Sequence, residues 1–446
     1  MLFTCHAARV RAAVIRTSAL LGCGALALSF AVHGQTLTLA EAQRRAVERS
    51  RQISAHDAAT VVSREMAVAA RQLPDPALTL GIDNLPTDGP DQFSFTRDFM
   101  TMRRIGLMQE FTRSEKRRLR AQRFEREADK AQAEKTATIA SIQRDTAMAW
   151  LDRYYAEAMA ALIAEQVKEV KREIMATESA YRAGRGSQAD VFAAHSALVT
   201  LEDQESEFER RIRTAKTSLA RWVGETADTP LEGKPAIDSV RLNTAALDAQ
   251  LAHQPQIVVL MRQEEIAATE ARISQADKKS DWSLEVMYSA RGSSFSNMAS
   301  IAVSIPLQWD QKDRQNRELA AKLAMADQAR AERDEMLRAQ IGEVRSMIQE
   351  WENGRERLVR YVRELIPLAR ERTRAAFAAY QGGKANLTDL LLARRDEIDV
   401  RMRSVQLEME VARLWAQLNF LFPHDTSTAA TGAPAHATAN QIKDTQ

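Results

Sequence analysis

Two periodicities divide the chain. The first is a seven-residue stripe. Ile163, Val167, Val170 and Ile174 step by 4, 3 and 4, and Phe208, Ile212, Ala215, Leu219 and Trp222 step by 4, 3, 4 and 3. Ile341, Val344, Ile348 and Trp351 step by 3, 4 and 3, then Leu358, Val362, Leu365 and Ala369 by 4, 3 and 4. Steps averaging 3.5 define a coiled-coil seam. The stretch 114–182, if continuous, would span about 100 Å at 1.5 Å per residue, far beyond a globular helix. Pro367 should kink or interrupt the corresponding helix later in the chain.

The second periodicity is strict alternation. Leu78, Leu80 and Ile82 alternate with Thr79, Gly81 and Asp83. Phe93 and Phe95 alternate with Ser94 and Thr96, continuing irregularly to Ile105, Leu107 and Phe111. Further on, Trp282, Leu284, Val286 and Tyr288 form one strand, and Ile301, Val303, Ile305 and Leu307 another. The connections Asn84–Gln92 and Ala290–Asn297 hold turn residues. Short strands, apolar on one face and polar on the other, fit a transmembrane β-barrel. A soluble hairpin packed on a helix would alternate in the same way.

The two patterns recur as a unit. Ala180-Tyr181-Arg182-Ala183-Gly184-Arg185-Gly186-Ser187-Gln188-Ala189-Asp190 returns, 199 residues later, as Ala379-Tyr380-Gln381-Gly382-Gly383-Lys384-Ala385-Asn386-Leu387-Thr388-Asp389. The shared pattern is Y-x-x-G-x-x-[SN]-x-x-D. Each half reads helix, two strands, long helix, turn, helix, an internal two-fold repeat. The first half occupies 35–224 and the second 243–422, joined by a linker over 225–242. Gly184 and Gly383 can take the left-handed conformation that ends a helix. Ser187 with Asp190, and Asn386 with Asp389, then fall at N-cap and N3. These residues may be read purely as the tips of two helical hairpins, or as tips that also carry function, and the motif alone leaves both readings open.

Composition narrows the class. With 62 Lys plus Arg against 60 Asp plus Glu, the formal charge of +2 excludes a strongly basic nucleic-acid protein. Ala, Glu, Arg, Gln and Leu dominate, and 139 residues between Pro90 and Pro230 hold no proline, as long helices require. At the N-terminus, Arg9, Arg11 and Arg16 precede a 15-residue apolar run, Ser18–Val32, and a small-residue site before Gln35. Residues 1–34 therefore read as a secretory signal peptide. Leu20-Leu21-Gly22-Cys23 also resembles a lipoprotein box, which would leave an acylated Cys23. Continuation of the apolar run past Cys23 favours cleavage at Gly34–Gln35. The mature chain would then carry no cysteine and a net charge of −1. Residues 423–446 read as a disordered tail.

Export changes the weight of the alternating segments. Strands in a bilayer cannot leave open edges, and single-chain barrels start at about eight strands. Four strands per chain therefore demand partner chains. Chemistry is meanwhile absent from the sequence. Five histidines of the mature chain are not spaced as a metal pair, and there is no P-loop, GxGxxG or G-x-S-x-G motif, so neither cofactor nor catalytic residue is expected. Lys116-Arg117-Arg118 with Arg120 lacks the aromatic interleaving of a nucleic-acid patch and fits a solvated or headgroup-facing helix start. Met100 and Met102 could form a soft-metal pair but suit packing better.

The doubled tip motif, paired hairpins and proline-free helices resemble the TolC-like outer membrane efflux protein family over residues 36–422. The segment Met102–Phe111, followed by Lys116-Arg117-Arg118-Leu119-Arg120, resembles the branch serving heavy-metal efflux pumps. The resemblance implies a mostly α fold with a small β part. It implies a homotrimer in outer membrane lipid, closing one 12-stranded β-barrel above a long periplasmic α-barrel of coiled-coil hairpins. It also implies docking to a periplasmic adaptor and an inner-membrane RND-type pump, with residues 225–256 forming an equatorial belt. Tyr181, Gly184, Ser187, Gly383 and Asn386 would be adaptor-docking tip residues. Asp190, Tyr380 and Asp389 would form the periplasmic gate, with a hydrogen bond from Tyr380 to Asp190. Two departures weaken an ionic gate: Ala385 stands where the family has a basic residue, and Leu392 where it has a second acid. Three functions remain: the exit duct of a tripartite efflux pump, the duct of a type I protein secretion system, or a soluble periplasmic scaffold.

Overall fold

The structure, a computed structural model, describes residues 36–184 and 186–424. The expected signal peptide, its cleavage site, Cys23 and the tail from residue 425 onward lie outside the described residues. The first repeat comprises α1 (Leu39–Arg49), α2 (Arg51–Arg71), β1 (Ala77–Asp83), β2 (Met102–Phe111), α3 (Ser114–Arg182) and α4 (Gln188–Val223). The second comprises α5 (Leu247–Leu251), α6 (Pro255–Asp277), β3 (Trp282–Ala290), β4 (Met298–Ser304), α7 (Gln315–Arg360), α8 (Ile366–Gln381) and α9 (Leu387–Asn419). The chain is thus mostly helical with one small antiparallel sheet.

Helix α3 runs unbroken for 69 residues, with the bounds the stripe predicts. Its seam residues Ile163, Val167, Val170 and Ile174 are all buried, as are Phe208, Ala215 and Leu219 on the returning α4. The second repeat departs from this regularity. Between α7 and α8, residues Tyr361–Leu365 form a π-helical segment, and the Ile366 N–H donates to the Tyr361 carbonyl five residues back. Pro367 has no N–H for the i−4 carbonyl and its ring crowds that turn, so widening the ladder just before it accommodates both defects. The expected seam also stops short here. Val344, Ile348 and Trp351 are buried, but Val362 and Leu365 are exposed within one chain.

An independent mark of the repeat lies in the core. The Trp150 indole donates to the Leu37 carbonyl at 3.0 Å, and the Trp351 indole to the Ile237 carbonyl at 3.2 Å. In each half, a tryptophan on the long helix thus pins the segment that leads into that half. The linker after α4 is held the same way. The Arg153 guanidinium donates to the Ala227 carbonyl and the Trp415 indole to the Ser239 carbonyl. Leu37 pairs with Leu231 in an isolated parallel bridge. Irregular backbone around the helices is tolerated because its carbonyls are satisfied by these donors. The ordered chain also reaches past the expected start of the tail, since Gln143 both donates to the His424 carbonyl and accepts its N–H.

The sheet has the order β1-β2-β3-β4, all antiparallel, so the two hairpins meet at β2 and β3. One strand expectation fails. Phe93 and Phe95 lie in the connection between β1 and β2, not in a strand. Phe93 has φ of 52° and its N–H returns to the Pro86 carbonyl at 2.8 Å, a turn conformation incompatible with the pleat.

Candidate functional site

The helical tips are built as the motif predicts. Gly184 and Gly383 have φ of 69° and 68°, where a side chain would be strained. At the first tip Ser187 Oγ accepts from the Asp190 N–H at 3.1 Å, and Asp190 Oδ2 accepts from the Ser187 N–H at 3.0 Å and its hydroxyl at 2.7 Å. This is a reciprocal capping box. At the second tip the Asp389 N–H donates to Asn386 Oδ1 at 2.8 Å. Tyr181 is exposed, and Tyr380 is half-buried against the core.

The three gate candidates are not joined to one another within the chain. The Asp190 carboxylate is taken up by Ser187, and Asp389 is exposed on the first turn of α9. The expected bond from Tyr380 to Asp190 is not made among the described residues. Tyr380 instead lines a cavity of about 270 Å³ between α3, α8 and α9, together with Glu173 and Arg394. Arg394 Nε donates to Glu173 Oε1 at 3.1 Å, and Nη2 reaches the same oxygen. Sequence reasoning missed this pair. Its members lie 221 residues apart, and no local periodicity connects them.

At the other end of the helices the sheet presents two chemically distinct faces. The row Leu78, Leu107, Val286 and Ile301 crosses all four strands in register, with exposures of 63%, 52%, 49% and 75%. Leu80, Ile105 and Tyr288 form a second such row. The opposite face carries Thr79, Gly106, Met287 and Ser300, with Arg104 paired to Asp83 at 3.4 Å. Among the described residues, β1 and β4 each have one edge without a strand partner. Phe111 and Trp282 stack at 4.3 Å where the sheet meets the helices. There Asp281 receives the Arg113 N–H and the Lys116 ammonium, both at 2.8 Å. Burial pushes its carboxyl up, but the Lys116 and Arg113 hydrogen bonds outweigh it and hold the group below the usual carboxylate range. Lys116, from the basic run, is therefore a buried structural partner, not a headgroup contact.

Among the described residues no group of three or more His, Cys, Asp or Glu side chains could hold a metal ion. No described helix is long and apolar enough to cross a membrane.

Residues 42–225 match the family model of the outer membrane efflux protein. No curated protein matches the chain in sequence. Solved structures share the fold at low identity. The outer-membrane channel OprN superposes with a TM-score of 0.72 at 18% identity, over 86% of this chain and 90% of that one. The outer membrane protein VceC from Vibrio cholerae gives 0.70 at 19% identity, over 86% and 95%. CusC gives 0.73 at 13% identity, over 86% and 92%. The matching family is thus described as an outer membrane efflux protein, and OprN as an outer-membrane channel. The outer membrane efflux protein model thus matches residues 42–225, within the first repeat, and the described chain shares the fold of these channels.

Proposed function

We propose that the protein is the outer membrane exit duct of a tripartite efflux pump, acting as a homotrimer. The observation that carries this reading is the four-stranded sheet, with lipid-type apolar rows on one face and two unpaired edges. Edges of that kind cannot stay open in hydrocarbon, and three copies would close one 12-stranded barrel. The polar face would then line the lumen, and the long helices would continue the duct into the periplasm. Conduction would be passive, with energy supplied by an RND-type pump through a periplasmic adaptor. Tyr181, Gly184, Ser187, Gly383 and Asn386 sit at the exposed tips where such an adaptor would dock. Asp190, Tyr380 and Asp389 would surround the periplasmic constriction. Heavy-metal cations are the cargo to test first, on the strength of the Met102–Phe111 segment alone. The experiment is single-channel recording of the purified protein in planar bilayers. Insertion with discrete ionic conductance is expected, and a folded, inserted trimer that never conducts would sink the duct reading.

A further inference from the structure

We propose that Met108, Met287 and Glu285 form a site for a soft monovalent cation, of the Cu(I) or Ag(I) class, on the polar face of the sheet. The proposal rests on the duct reading above for its purpose, because that face would then line the path of the cargo.

The strands place their sulfur on one side only. Met102 and Met108 on β2, Met287 on β3 and Met298 on β4 are the methionines of the four strands. The register puts all of them on the polar face. Met108 stands opposite Glu285, Met287 opposite Gly106, and Met298 opposite Ser289. Met102 stands opposite Asp83 of β1. The other face, where a methionine used as apolar filler would belong, is built mainly from Leu, Ile, Val and aromatic residues. A thioether packs as an apolar group but is also a soft ligand, and it is the second property that the polar face can use.

Two of these thioethers converge with a carboxylate. A Cβ on Gly106 would lie 2.9 Å from Met287 Cγ and 3.4 Å from Glu285 Oε1, so both side chains lean over this one residue. Met108 flanks Gly106 two positions along β2, diagonal to Met287 and within reach of a long side chain across an antiparallel pair. The neighbours at the same level are small, Ala77 and Thr79 on β1 and Ser300 and Ala302 on β4. Among the described residues, Met108, Met287 and Glu285 are thus the long side chains of this level of the face.

Charge selects the ion. Asp83 is paired with Arg104, and Glu110 accepts from the Thr112 hydroxyl. Glu285 has no hydrogen bond or ion pair among the described residues. One free carboxylate balances one monovalent cation, and two thioethers favour a soft ion over Na+ or K+. No cysteine or histidine lies on the four strands to compete for it.

The test uses the full-length protein in detergent, with Ag+ as the probe in chloride-free buffer and assembly checked by mass photometry. Titration calorimetry should find a saturable site for one Ag+ per chain, and X-ray absorption at the silver edge should show sulfur neighbours. Even an outer partner of a metal site is worth about 10- to 100-fold in affinity, so a lost ligand should cost at least about tenfold. Met108→Leu and Met287→Leu conserve side-chain volume, and each should weaken Ag+ binding by that much. The double variant should lose the sulfur signal. Glu285→Gln should weaken binding with the sulfur neighbours retained. Met100→Leu, in the connection between β1 and β2, should leave the affinity at the wild-type value. Wild-type affinity in the double variant or in Glu285→Gln, or an equal loss in Met100→Leu, would overturn the site. K+ conductance of the wild type in planar bilayers is recorded separately. A protein that binds Ag+ in this way but never conducts K+ keeps the site and loses the duct. One that conducts K+ without binding Ag+ keeps the duct and loses the site.

Discussion

Ser187 and Asp190 show what a single local interaction can specify. Each satisfies a backbone N–H of the other, so the first turn of α4 is closed by side chains three residues apart. Asn386 does only half of this for α9. Ser187→Ala should therefore cost about 1 kcal/mol, as N-cap removal generally does. It should be read as a lower thermal midpoint of the purified protein with conductance unchanged. A midpoint equal to wild type would mean that the tip is held by packing alone. Caps and left-handed glycines were legible in the sequence because their partners lie within one helical turn. Glu173 and Arg394 were not legible, because the contact exists only once two separate hairpins are laid side by side. Tyr380 lies in the last turn of α8, yet the sequence could not show that Ser187 already occupies its expected partner.

At the level of elements, the length of α3 followed directly from its stripe and its lack of proline. The second strand began later than its alternation suggested, because Asn84 and Phe93 both adopt positive φ and fold the intervening residues into turns. Alternating phenylalanines in a loop imitate a strand when only side-chain polarity is considered. Helix–helix seams carry a testable pH dependence. Glu270 of α6 lies between Arg123 of α3 at 3.1 Å and Lys322 of α7 at 2.7 Å. Burial pushes its carboxyl up, but the two cations prevail and hold it below its ordinary value of 4.5. A depressed folded-state value means that the group stabilises the seam above about pH 4.5, and that this contribution fades as pH falls through the folded value. Thermal melts across the acid range should therefore show a steeper loss for wild type than for Glu270→Gln. Parallel curves would show that the seam does not depend on this carboxylate.

For the whole molecule, what one chain leaves uncovered is as informative as what it buries. Apart from the sheet, Val61, Val62 and Val68 on α2, Phe192 and Val199 on α4, and Val362 and Leu368 near Pro367 are all exposed. Apolar positions spread along helices on this scale are those a neighbouring chain would cover. Mass photometry of the detergent-solubilised protein should accordingly find a species of three chains, and a stable folded monomer would rule out the shared barrel. The number of copies could not be read from one chain's periodicity, which specifies a seam but not how many seams close a ring. The π-helical segment before Pro367 has a mechanical consequence at this scale. The first hairpin contains one uninterrupted helix and behaves as a stiff beam. Its counterpart is a beam with a compliant joint, placed one long lever arm from the tip. Bending of the α7–α8 rod should therefore concentrate at Tyr361–Leu365, where the helical ladder is already widened. Two copies of one design thus differ in where they can bend, not in what they are built from.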